Sequence, residues 1–175
     1  MLATLKHVEA AVLPELLRDP ARWASVDITY HPPHVERLWT SVPEGRLFLH
    51  RIGTCARGDA LYHPHDWPSA MKILRGRYEH GIGVAGAGAQ SSADVEVLSV
   101  AELAAGTYYE MVNPRVWHWV RPLEVVYTLM LAGPPYGADT RQPFPKPDAR
   151  QGPLASARAQ ALLAEFCELL APVEA

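Results

Sequence analysis

The chain is short of cysteine, of clustered basic residues and of long apolar runs. Its two cysteines, Cys55 and Cys167, lie far apart and form no Cys-x-x-Cys pair. A disulfide framework and a thiolate zinc site are thereby excluded, and a reducing cytoplasm is the expected setting. Sixteen Lys and Arg stand against nineteen Asp and Glu, a net charge of −3, with no basic stripe. Neither nucleic acid nor an acidic membrane surface is an expected partner. No apolar run reaches the roughly eighteen residues that a membrane helix needs. The opening Met1-Leu2-Ala3-Thr4-Leu5-Lys6 lacks a basic segment followed by an apolar core, so no secretory signal is expected there. Internal repeats are absent. The Gly-rich Gly81–Ala89 has no Gly-Lys-Ser/Thr ending, so it reads as a hairpin loop and not a phosphate cradle.

What the chain does have is apolar content, 49% of 175 residues, enough for one domain with a buried core. Leu2, Leu5, Val8, Val12 and Leu16 recur at helical spacing, which predicts a helix over 2–18 kinked near Pro14. Pro20 and Pro32-Pro33 break the pattern, and His34–Trp39 is short and ambiguous. From residue 46 the pattern is β. Strands are predicted at 46–52, 71–74, 78–84, 95–100, 107–112, 116–120 and 123–132, with Gly, Pro and Asn between them. Residues 133–153 hold six prolines and read as a surface arm. Ala159, Leu162, Leu163, Phe166, Leu169 and Leu170 stripe a closing helix over about 155–171. The expected organisation is one domain over 1–175, with a helical segment at 1–19 and a barrel at about 35–133.

Two histidines, His63 and His65, stand two residues apart before an apolar strand. On a strand, residues i and i+2 share a face, so both imidazoles can reach one metal ion. His118 lies in a later strand-like stretch, Val116-Trp117-His118-Trp119-Val120. Imidazole suits iron, zinc, nickel and copper, and three protein ligands leave metal positions open for a reactant.

The run His63-x-His65 followed by Met71-Lys72-Ile73-Leu74-Arg75-Gly76-Arg77-Tyr78-Glu79 resembles the first motif of small cupins. It is most similar to the cysteine dioxygenase-like (thiol dioxygenase) branch. Val116-Trp117-His118-Trp119, with Tyr127-Thr128-Leu129-Met130-Leu131-Ala132-Gly133-Pro134-Pro135 behind it, resembles the second. The resemblance spans roughly 35–136. It implies a mostly β jelly-roll barrel with an N-terminal and a C-terminal helix. Fe(II) on His63, His65 and His118 is implied too, as is Arg37 gripping a substrate carboxylate. A guanidinium fork suits that task, since it gives a carboxylate two parallel hydrogen bonds.

Departures from the family narrow the expectation. Ser69 and Ala70 stand where many cupins carry a fourth, carboxylate ligand, which favours a histidine-only site. Thr128, Met130 and Ala132 replace the Ser-x-His-x-Tyr set of strict cysteine dioxygenases. The expected reaction is therefore a dioxygenase-like oxidation, with O2, of a small carboxylated substrate, thiol or not, larger and less polar than cysteine. Alternatives kept open are isomerase or lyase chemistry on Zn, Ni or Mn, and a non-enzymatic ligand-binding cupin. His50 shares a strand phase with Phe48 and Ile52 and should face inward. Of Glu79 and His80, one should point inward, and Glu79 suits a bond to a ligand imidazole. Asp66 either orients an imidazole or makes a turn, and Tyr136 is a candidate for closing the barrel mouth. Trp117 and Trp119 are expected to pack beneath a terminal helix or a second subunit, and a homodimer is expected.

Overall fold

A computed structural model describes residues 1–60, 62–86, 92–137 and 151–171. Two antiparallel sheets face each other. The larger holds, in spatial order, β1 (Ala24–Ile28), β2 (Val35–Val42), β3 (Gly45–Ile52), β10 (Val126–Ala132), β5 (Ser69–Arg75) and β8 (Tyr108–Met111). The smaller holds β4 (His63–Pro64), β9 (Val116–Pro122), β6 (Arg77–Ala85) and β7 (Val95–Ala104).

The larger sheet is buried on both faces, and alternation decides what each face meets. Leu38 on β2, Leu47 and Leu49 on β3, and Leu129 and Leu131 on β10 face the helices, in one core with Leu5, Val8, Leu162 and Phe166. The opposite face carries three cross-strand rows. Trp39, Phe48, Met130, Met71 and Tyr109 form one apolar row, and Val35, Ile52 and Val126 form another. Between them runs a polar row, Arg37, His50 and Thr128. This row is the first feature that packing alone does not explain.

The N-terminal helix is divided. α1 (Leu2–His7) passes into a π turn (Val8–Val12) before α2 (Leu13–Leu17). Pro14 explains the wide turn, because it has no N–H to give Ala10 and its ring clashes with that carbonyl. α3 (Ser156–Leu170) closes the chain. Among the described residues no helix is long and apolar enough to cross a membrane.

Several expectations are corrected here. β1 lies in a stretch to which the sequence assigned no element, and β2 covers most of the ambiguous His34–Trp39. On β2 the buried even positions include Glu36, and that charge hides the alternation. Glu36 is held there by Arg51 and by two bonds from Arg158 of α3. Gly81–Ala85 continues the strand predicted over 78–84 and does not belong to the loop read from its glycines. Glycine serves close approach at that point, since a Cβ on Gly81 would lie 2.1 Å from the Trp119 indole. Trp119 packs there, edge-on to Tyr62, and the terminal helices cover the other sheet. Most of the predicted arm, 138–150, and residues 87–89 of the predicted hairpin loop lie outside the described residues.

The β2–β3 hairpin pairs Val42 with Gly45, whose φ is +140°. A Cβ there would sit 2.0 Å from the Ala132 carbonyl oxygen. Gly45→Ala is expected to cost about 2–3 kcal/mol, through left-handed strain and a backbone clash. For a chain of this size that lowers Tm by roughly 4–12 °C in calorimetry. An unchanged Tm would contradict the turn geometry.

Candidate metal centre

β4 is only two residues long, but its pairing sets the site. His63 lies directly opposite His118 on β9, and such partners hold their Cβ atoms close. His65 follows at i+2. The Nε2 atom of His118 is 3.1 Å from that of His63 and 3.0 Å from that of His65. The three predicted ligands are thus brought together, and they form a group able to hold a metal ion.

The donor set fits a cation. Metal–imidazole bonds of about 2.0–2.1 Å, set at right angles, place neighbouring nitrogens about 3 Å apart. Three ring nitrogens pointing at one another repel unless something positive lies between them. One proton on His118 satisfies a shared hydrogen bond at best, whereas a cation engages all three lone pairs. The far side of two ligands is also tied. His65 Nδ1 is 3.1 Å from Ser69 Oγ, and His118 Nδ1 is 3.1 Å from His80 Nε2. Ser69, in place of the carboxylate ligand of many cupins, therefore orients His65.

Burial keeps these rings neutral. Desolvation, reinforced by His63 and other charges nearby, holds the His65 and His118 imidazoles well below the usual histidine range. Burial pushes His80 down to about 4, with His63 adding to the effect. His50 is held low as well, by burial first and then by Arg37. In the unfolded chain these rings take protons near pH 6.5. The unfolded state thus binds more protons below that pH, and stability falls as pH drops. Each ring contributes up to about 1.4 kcal/mol per pH unit, with no dependence above about pH 7. The urea midpoint of metal-free protein should therefore fall steeply between pH 6.5 and 5. A flat midpoint across that range would mean that the rings are already charged in the fold.

Across the interior lies the polar row. The Nε of Arg37 donates to His50 Nε2 at 2.9 Å, so the His50 proton is on Nδ1 and donates to Thr128 Oγ1 at 3.1 Å. The neutral chain from Thr128 through His50 holds the guanidinium in place without neutralising it. Among the described residues Arg37 has no carboxylate partner. Burial pushes it down to about 10, still charged at neutral pH. Its face also lies against Phe48, 5.1 Å from the ring centre. His50 faces inward, as its strand phase predicted.

A cavity of about 390 Å³ lies between the two halves, with His63, His65 and His118 on one side and Arg37, His50 and Thr128 on the other. That volume is at the small end for ligand sites. Its remaining wall is largely apolar and includes Ile52, Met71, Val120 and Met130. Tyr78 also lines it, but its hydroxyl is engaged. Tyr109 gives its proton to Met71 Sδ at 2.9 Å, so Tyr78 donates to Tyr109, at 2.6 Å.

Other candidates fall elsewhere. Odd positions of β6 face outward, so Glu79 meets Arg121 and Arg57, at 2.8 and 3.2 Å, and does not reach a ligand imidazole. The Arg121 hydrogen bond holds its carboxyl below the usual range. His80, the neighbour of opposite phase, makes the contact expected of Glu79. Asp66 lines the cavity, and its carbonyl accepts from the Tyr136 N–H at 2.8 Å. Tyr136 itself is not part of the cavity wall. Tyr78 and Tyr109 were not singled out from the sequence, and Ser69 only as standing in place of a carboxylate ligand. Only their strand phase relative to His65 and His80 marks them as inward.

No protein-family model matches the chain, and no curated protein matches its sequence. Solved structures do match. Fe(II)-HppE with the alternative substrate (S)-1-HPP aligns at a TM-score of 0.50 and 12% identity, over 66% of this chain and 57% of that one. Fe(II) HppE in complex with substrate (form 2) gives a TM-score of 0.50 and 11% identity, over 66% and 58%. Hydroxypropylphosphonic acid epoxidase from S. wedmorenis gives 0.49 and 12%, over 66% and 56%. This chain thus spans somewhat more than half the length of those proteins. At such identity the likeness speaks for architecture alone: a mostly β, cupin-like sandwich, here with three inward histidines able to bind a metal ion.

Proposed function

We propose that the protein is a mononuclear non-haem iron cupin that oxidises a small carboxylated substrate with O2. The observation that carries this reading is the part-buried Arg37, without a carboxylate partner among the described residues, facing a three-histidine cluster across a small cavity. A buried cation without a counter-ion is costly, and a substrate carboxylate would remove that cost on binding. The structural neighbours named with Fe(II) support iron as the metal. So do three neutral imidazoles with positions left open for a reactant.

His63, His65 and His118 would hold the iron, which when bound supplies the one-electron chemistry that O2 requires. Arg37 would fix the carboxylate through the two terminal nitrogens that His50 leaves available. The apolar wall, with Met71, Met130 and Ile52, would take the body of the substrate and exclude water. The stretch of wall formed by Ile52, Met71, Val120 and Met130 is apolar, and Thr128, Met130 and Ala132 stand where strict cysteine dioxygenases carry their Ser-x-His-x-Tyr set, so we propose a less polar acid than cysteine, with or without a thiol.

The test is metal analysis of protein purified without added metal, followed by oxygen-electrode measurements over small carboxylic acids. Near-stoichiometric iron and substrate-dependent O2 uptake, slow with cysteine, are expected. Stoichiometric Zn, Ni or Mn with oxygen-independent turnover would replace this reading by isomerase or lyase chemistry.

A further inference from the structure

His80 is buried, is used by no step above, and touches a proposed ligand. Its Nε2 is 3.1 Å from His118 Nδ1, its ring centre is 5.3 Å from that of His118, and Tyr109 lies 4.7 Å away on another side. β6 and β9 set this contact. His118 sits opposite Ile82 and His80 opposite Val120, so the two imidazoles are diagonal neighbours on one inward face. We propose that His80 is a positioning residue that acts as the tautomer partner of His118 and reverses its hydrogen bond when metal binds. The inference rests on the three-histidine metal site.

A metal-bound histidine usually gives its second N–H to a carboxylate or a carbonyl. Those partners only accept, so they lock the ligating nitrogen bare. Here a locked His118 would present a bare Nε2, able only to accept, 3.0 and 3.1 Å from two other ring nitrogens whenever metal is absent. Imidazole both donates and accepts. Without metal, His80 Nε2–H donates to His118 Nδ1, and His118 Nε2–H is shared between His63 and His65. With metal on His118 Nε2, that nitrogen gives up its proton to water. The His80 Nε2 proton passes to His118 Nδ1, which now donates back, and His80 Nδ1 takes a proton from water. Each ring carries one proton before and after, so the pair releases none. Ser69 offers His65 a partner of the same kind, because a hydroxyl also donates or accepts. Neither orienting partner forces the bare state, and the folded site survives loss of its metal.

The experiment is long-range 1H–15N correlation NMR of the full-length, 15N-labelled protein, with and without Zn(II) as a diamagnetic probe. The His80 proton should sit on Nε2 without zinc and on Nδ1 with it, and His118 should change in the opposite sense. Zn(II) affinity, read by competition with a chelating dye, should fall about 10–100-fold in His80→Phe. In His80→Gln, whose amide both donates and accepts, it should stay within about threefold of the parent. Zinc bound at His118 with the His80 tautomer unchanged would overturn the proposal and leave the metal site standing. So would a folded His80→Phe protein of parental affinity. Failure of the parent protein to bind Zn(II) would overturn both. The parent's own spectra decide the question even if the phenylalanine variant fails to fold.

Discussion

His118→Ala is expected to leave the purified protein with less than a tenth of the parent's metal, while its circular dichroism stays close to native. His118 is the hub of the cluster, since the Nε2 atoms of His63 and His65 both lie within 3.1 Å of its own. Deleting it leaves one ligand on the two-residue β4 and one just beyond that strand, with no third nitrogen on a rigid element. Loss of a supporting residue typically costs about 10–100-fold in metal affinity, and loss of a ligand should exceed the top of that range. The fold should bear the change. A small cavity and an unpaired His80 nitrogen together cost about 1–3 kcal/mol, which lowers Tm without unfolding the chain. His34→Ala is the control. His34 is exposed and paired with Asp27 at 2.6 Å, away from the cluster, so its removal should leave metal content unchanged. Full metal occupancy in His118→Ala would mean that the ion binds elsewhere.

Arg37→Leu should give the opposite profile, with metal retained and substrate binding lost. Removing one side of a buried charge pair costs about 2–5 kcal/mol. The Michaelis constant for the carboxylate substrate should therefore rise about 30- to 4000-fold. Stability should not fall in step, because the substitution also removes a buried charge that nothing in the described protein neutralises. Arg37→Lys should recover little. Lysine keeps the charge but has neither the Nε–H that His50 accepts nor the fork that fits a carboxylate. An Arg37→Leu protein that is destabilised yet keeps its Michaelis constant would make Arg37 a packing residue.

These two sites differed in how plainly the sequence announced them. His63 and His65 were legible from period alone, and His118 from its strand-like setting. His50 was legible because it keeps phase with Phe48 and Ile52. Arg37 came only from resemblance, for its strand is disguised. Alternation on β2 puts Glu36 among the buried positions, paired with Arg158 and Arg51, so polarity no longer marks the outside. The exchange of Glu79 for His80 has a different origin. Adjacent residues on a strand face opposite ways, and only the pairing of β6 with β9 says which faces in. Ser69 and Thr128 read as gaps in a family pattern. In three dimensions each is a hydroxyl placed on an imidazole, a role that only contact reveals.

One strand links the last helix to the cavity. On β2, Glu36 faces out to Arg158 of α3 while its neighbour Arg37 faces in to His50. The helix and the substrate anion are in effect two ligands of adjacent residues on the same backbone. Linkage then requires reciprocity: whatever docking of α3 contributes to anion affinity, anion binding returns to docking of α3. Amide hydrogen exchange along 156–170 should slow when the cavity is filled, although no atom of that helix lines it. A loosened C-terminus would then be felt first as weaker substrate binding, well before the barrel itself gives way.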